Sequence, residues 1–189
     1  MKTTLKQNYT MKLTTLACLV AGIAGITPAL QAAATTDSVA VSKMLAQAKT
    51  QAYSISVDAD ALESYTREPS LSWESHVIEI SRMREDINAA GKTLASLTSS
   101  RAQASPWQVA AIDRIIPFLQ EIASDTTAAI EYLNKNHTQL ATKREYTDYI
   151  EANADTSKEL STLIAHFVDY GNRKSRYDSL RSSLELPAK

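Results

Sequence analysis

Small and apolar residues recur along most of this chain at alternating steps of three and four. Between Ser38 and Arg67 they fall at Val41, Leu45, Ala48, Ala52, Ile55, Ala59 and Leu62, which places all seven on one stripe of a helix. Glu68-Pro69 ends that helix, because a residue before proline is driven out of the helical region. A second stripe starts near Ser72 with Trp73, Val77, Ile80, Met83 or Arg84, Ile87, Ala90, Leu94 and Leu97, and fades between Thr98 and Ala104. Ser105-Pro106-Trp107-Gln108 is a strong start signal: a capping serine, proline at the first helical position and a glutamine able to close a capping box. The third stripe follows at Ile112, Ile115, Leu119, Ile122, Thr126, Ala129 or Ile130, and Leu133. Pro117 lies within it and is expected to kink it.

Asn134 to Ala141 is expected to be a connection, and Thr142-Lys143-Arg144-Glu145 is a second capping-box pattern. The fourth stripe runs Tyr146, Tyr149 or Ile150, Asn153, Ser157, Leu160, Leu163 or Ile164, Phe167 and Tyr170. It either continues through Lys174, Tyr177, Leu180 and Leu184 or breaks at Gly171-Asn172 into a short fifth helix. Four amphipathic segments joined by short links predict an all-α, antiparallel up-down-up-down four-helix bundle with long helices. A coiled-coil dimer of helical hairpins is the alternative that the same spacing permits.

The first 34 residues follow a different pattern. Lys2, Lys6 and Lys12 precede the apolar run Leu16 to Ile26, which has signal-peptide length and is too short to span a bilayer. Pro28 and the small residues Ala32, Ala33 and Ala34 follow, so residues 1–34 are expected to be a Sec signal peptide cut after Ala32 or Ala34. Residues 35–189 are then the exported bundle domain, periplasmic or secreted, with no transmembrane segment after cleavage. Cys18 does not sit in a convincing lipobox, because Thr15-Leu16-Ala17 precedes it and the apolar run continues well beyond it.

Composition changes this picture only after the leader is removed. The whole chain has 20 Lys+Arg and 21 Asp+Glu. The leader takes three lysines and no acid with it, leaving a domain with a net charge of about −4, which offers no basic face for nucleic acid. The leader also holds the one cysteine, so the domain has neither a disulfide nor a thiolate site.

Candidate chemistry is sparse. No Glu-x-x-His, Cys-x-x-Cys-His, Gly-x-Ser-x-Gly or glycine-rich phosphate loop occurs. Met44 and His166 would sit at heights of about 9 Å and 27 Å from one end, too far apart to share a haem. The end at which helix 1 finishes and helices 2 and 4 begin gathers Tyr65, His76, His137, Tyr146 and Tyr149, the candidate residues for a small-ligand or metal site. The bland reading of that cluster is amphipathic rings closing a core. Asp58-Asp60-Glu63 has the look of a solvated acidic face. Arg173, Lys174, Arg176 and Arg181 form a basic patch suited to an anionic lipid surface, although the helix dipole alone favours cations there.

Ser105-Pro106-Trp107-Gln108 through Ala111-Ile112-Asp113-Arg114-Ile115, with Thr126 to Glu131 and Phe167-Val168-Asp169-Tyr170-Gly171, resembles exported helical bacterial proteins of uncharacterised function. The resemblance covers about half of the domain and transfers no active residue and no cofactor. The leading expectation is a non-enzymatic binding or scaffolding protein of the cell envelope, meeting a protein partner or itself through a helix face. The competing expectations are a small-ligand, metal or haem carrier and a membrane-surface protein.

Overall fold

The computed structural model describes residues 36–136 and 144–185. It contains helices α1 (Val39–Thr66), α2 (Trp73–Ser99), α3 (Pro106–Lys135) and α4 (Arg144–Ser183), with a 3-10 turn at Arg101–Gln103. No strand occurs among the described residues, and the four helices pack as an all-α bundle. The leader, His137 and the Thr142-Lys143 half of the second capping box lie outside the described residues.

The helix starts follow from local chemistry. The Ser38 hydroxyl accepts the Val41 N–H at 3.4 Å, satisfying one of the donors that a helix start leaves orphaned. Ser105, Pro106 and Gln108 open α3 as a capping box, with the Gln108 side-chain oxygen 3.0 Å from the Ser105 N–H. That same oxygen also accepts the Ser38 N–H at 3.0 Å, while the Gln108 amide nitrogen donates to the Ser38 carbonyl at 2.9 Å and to Ser42 Oγ at 3.0 Å. A residue legible as a local cap therefore clamps the starts of α1 and α3 together, and it is fully buried.

Helix α1 packs against α2 and α4, and α3 packs against α4 and α2. All seven residues of the α1 stripe are buried. Ile80, Met83, Ile87, Ala90 and Leu97 from α2 meet them, with Ile112, Ile115, Leu119, Ile122 and Leu133 from α3 and Ile150, Leu160 and Ile164 from α4. Each large side chain fully removed from water contributes roughly 1.5–3 kcal/mol. Buried Asn153 fixes α4 against α3: with its amide oriented to suit its neighbours, the nitrogen donates to the Ile122 carbonyl at 3.0 Å and the oxygen accepts the Thr126 N–H at 3.1 Å. A small apolar cavity of about 10 Å³ remains among Ala48, Ala52, Ala90, Leu94, Leu119 and Ile164, room for about one water molecule.

Helix α3 is unbroken through Pro117, which lies on its exposed side. Helix α4 is also unbroken, so Gly171-Asn172 does not start a fifth helix. The glycine has a different purpose. A Cβ at residue 171 would stand 2.6 Å from Trp107 Cη2 and 2.9 Å from Cζ2, so its bare backbone is the seat of the indole ring.

The helices are unequal in length: α1, α2 and α3 have 28, 27 and 30 residues, whereas α4 has 40. Lys174 lies level with the start of α1, where its ammonium meets Asp37 at 3.0 Å. The turns from Ser175 to Ser183 therefore carry α4 about 14 Å further at ~1.5 Å per residue.

Candidate functional site

At the end where α1 finishes, three of the expected residues meet. His76, in the first turn of α2, is buried and its Nδ1 shares a 3.0 Å hydrogen bond with the hydroxyl of Tyr146 at the start of α4. The Tyr65 ring stands edge-on to His76 at 5.8 Å between centroids, and Tyr146 does so at 5.6 Å. Tyr132 of α3, which sequence reasoning did not pick out, packs on Tyr146 at 5.9 Å. Tyr149 is half-buried against the core, and its hydroxyl lies 3.5 Å from the Glu145 carboxylate in an exposed contact. His137 lies outside the described residues.

The electrostatics of this cluster are those of an interior pair. Burial pushes the His76 imidazole below its ordinary value of 6.5 and the Tyr146 hydroxyl far above 10.0. Both rings are therefore neutral near neutral pH, and their mutual hydrogen bond satisfies polar atoms that burial would otherwise leave costly. His166 is exposed on α4. Among the described residues no three His, Cys, Asp or Glu side chains converge as metal ligands.

The α1–α2 seam holds a buried charge cluster. Asp58, expected on a solvated face, is only 2% exposed. Its register against α2 explains the difference: Arg82 reaches over it, with Nε 2.9 Å from Asp58 Oδ1 and Nη2 bonded to the same oxygen. Arg82 also pairs with buried Glu79 at 3.3 Å. Desolvation, with the Asp58 charge adding to it against the pull of Arg82, raises the Glu79 carboxyl above its ordinary 4.5. Asp86 is likewise raised by desolvation and then by Asp58. Two neighbours on the α1 run behave differently: Asp60 is exposed, and Glu63 is ion-paired with Arg67.

Asp37 organises the opposite end of the bundle. Its Oδ1 accepts the Ser105 hydroxyl at 2.6 Å and the Trp107 indole N–H at 2.7 Å, and its Oδ2 pairs with Lys174. Burial raises this carboxyl, but the bonds from Ser105, Lys174 and Trp107 outweigh burial and hold it below the usual 3.8. Trp107 is thereby pinned against Gly171 and edge-on to Tyr170, with ring centroids 5.5 Å apart.

Beyond that junction most of α4 is exposed among the described residues. Tyr177, Leu180 and Leu184 are 60%, 60% and 59% exposed, and they continue the core spacing of the same helix. Among the described residues Arg173, Arg176 and Arg181 have no ion-pair partner, whereas Lys174 is held by Asp37 and Asp178. No described helix is long and apolar enough to cross a membrane. No family model, curated protein or solved structure matches the chain.

Proposed function

We propose that this is an exported, non-enzymatic binding protein of the bacterial cell envelope, in which a rigid four-helix body presents the last turns of α4 to a partner. The observation that carries the reading is the apolar stripe Tyr177, Leu180 and Leu184 left uncovered on a helix that outruns its three neighbours. An uncovered stripe of large apolar side chains costs solubility, so its usual meaning is an interface. The leader pattern of residues 1–34 supports export. Two polar clusters support the non-enzymatic part, because their groups partner one another: His76 with Tyr146, and Asp37 with Ser105, Trp107 and Lys174. The third, at the α1–α2 seam, pairs Arg82 with Asp58 and Glu79 and leaves Asp58 Oδ2 and Glu79 Oε1 without a hydrogen bond.

Two measurements test this. Mass spectrometry of the chain recovered from a bacterial envelope fraction is expected to show removal of residues 1–32 or 1–34; an uncut chain retained in the cytoplasm contradicts export. A photo-crosslinking amino acid placed at Leu180 in cells is expected to form adducts, lipid or protein, that the same probe at exposed Gln120 of α3 does not. Equal or absent labelling at the two positions contradicts the role given to α4.

A further inference from the structure

We infer that the projecting turns of α4 dock on an anionic lipid surface, an inference that rests on the reading of those turns as the binding element. Tyr177, Leu180 and Leu184 step by three and four, forming a stripe along one side of the helix. At 3.6 residues per turn Arg176 and Arg181 flank that stripe on either side, and Arg173 falls within it one turn nearer the bundle. Asp178 lies roughly 100° around the helix from Tyr177, toward the side on which Lys174 meets Asp37, and Glu185 stands past the helix end at Ser183 with a left-handed φ of 56°. The exposed helical face is therefore apolar with arginines at its margins, and Asp178 is turned away from it.

That arrangement matches a phosphate-bearing bilayer surface on three counts. Leucines enter the boundary between headgroups and acyl chains, arginines extend to the phosphates in forked pairs, and a tyrosine ring sits at headgroup level. The stripe from Tyr177 to Leu184 is about two turns long, far short of the ~20 residues a span needs, so these turns would lie on the surface.

Charge argues against the other occupants. In a two-stranded coiled coil with Tyr177 and Leu184 at a and Leu180 at d, Arg173 falls at d, Arg176 at g and Arg181 at e. A parallel second copy then sets Arg176 against Arg181 on both sides of the seam. The chain's own residues 1–35 bring Lys2, Lys6 and Lys12 and no acid, which repel the same arginines. An anionic surface turns that repulsion into attraction.

Sedimentation with phosphatidylglycerol vesicles, set beside phosphatidylcholine vesicles, tests the inference. The chain is used both in full and without residues 1–34, so that binding through the leader is scored separately. The chain lacking residues 1–34 is expected to partition to phosphatidylglycerol at low salt, and much less at high salt or to phosphatidylcholine. Replacing Arg176→Ser and Arg181→Ser together is expected to weaken partitioning ~25-fold, from about fivefold per basic residue near the surface. Leu180→Ser with Leu184→Ser is expected to weaken it more than tenfold, with the thermal midpoint unchanged because both side chains are exposed. Partitioning that none of these substitutions alters overturns the inference. So does a concentration-dependent dimer that Leu180→Ser with Leu184→Ser dissolves, which would assign the stripe to a second copy. If vesicles are not bound but the Leu180 probe still forms adducts in cells, the lipid surface is wrong and the binding role of α4 stands. If neither occurs, both fail.

Discussion

Two glycines lie inside helices of the bundle, and replacing each by alanine should move stability in opposite directions. In an exposed helix interior Gly→Ala is worth about 1 kcal/mol, because alanine loses less backbone freedom on folding. Gly91 in α2 is half-buried but leaves room for the methyl: a Cβ there has nothing within 4 Å, so Gly91→Ala should gain about that amount. Gly171 gains the same propensity term but drives its new methyl to 2.6 Å from Trp107 Cη2. The indole cannot simply swing aside, since its N–H is bonded to Asp37 at 2.7 Å and it packs in a T-shaped contact with Tyr170. Overpacking of this kind costs about 1–3 kcal/mol, so Gly171→Ala should lose about 1 kcal/mol net. The two variants should then differ by about 2 kcal/mol, or about 4–8 °C in thermal midpoint for a domain of this size. Urea denaturation followed by far-ultraviolet circular dichroism reads the difference, and Trp107→Phe in the Gly171→Ala background should recover most of the loss. A Gly171→Ala protein stabilised as much as Gly91→Ala would refute the seat of Trp107 on α4.

The remaining predictions concern the buried polar groups. Tyr146→Phe leaves His76 Nδ1 without its partner and should cost about 1–3 kcal/mol, whereas the double variant with His76→Phe should cost less than the sum of the two singles in denaturant titrations. Asp37 is held below its unfolded value, so it contributes stability above about pH 4 that is lost as pH falls through its folded value. Asp37→Asn should therefore cost about 2 kcal/mol at neutral pH, and the cost should shrink toward zero in strong acid. Glu79 has the opposite sign: its folded value is raised, so the stability tied to its proton is fully present below 4.5 and is lost as pH rises through that folded value. Glu79→Gln should gain on the parent as pH climbs from about 4 to 7, and a widening deficit over that range would contradict the assignment.

Much of the bundle was legible because helical periodicity and cap chemistry are local signals. The seven stripe residues of α1 and the Ser105 start follow from signals within one segment, whereas spacing left Met83 or Arg84 open and the packed helices bury Met83. His76 carried a local signal too, since it precedes Ile80 by four and Met83 by seven on the core face. What the sequence hid depends on register between helices. Asp58 looks solvated until α2 is set beside α1 and Arg82 and Glu79 come within reach. Gly171 looks like a helix breaker until Trp107, 64 positions earlier, is placed against it. Tyr132 escaped notice because it flanks Leu133 at the edge of a wide stripe. The continuation through Tyr177, Leu180 and Leu184 was visible as a pattern, but its exposure depends on where the other helices stop.

The end of α4 belongs, on this reading, to docking and not to the core. A stop codon in place of Arg176 removes the projecting turns while keeping Asp37, Trp107, Gly171 and Lys174 together. Thermal unfolding and envelope association of the shortened chain, measured side by side with the parent, test the assignment most directly. The account predicts a change within about 0.5 kcal/mol, as for surface changes elsewhere, together with loss of envelope association. A steep fall in stability with association retained would contradict it.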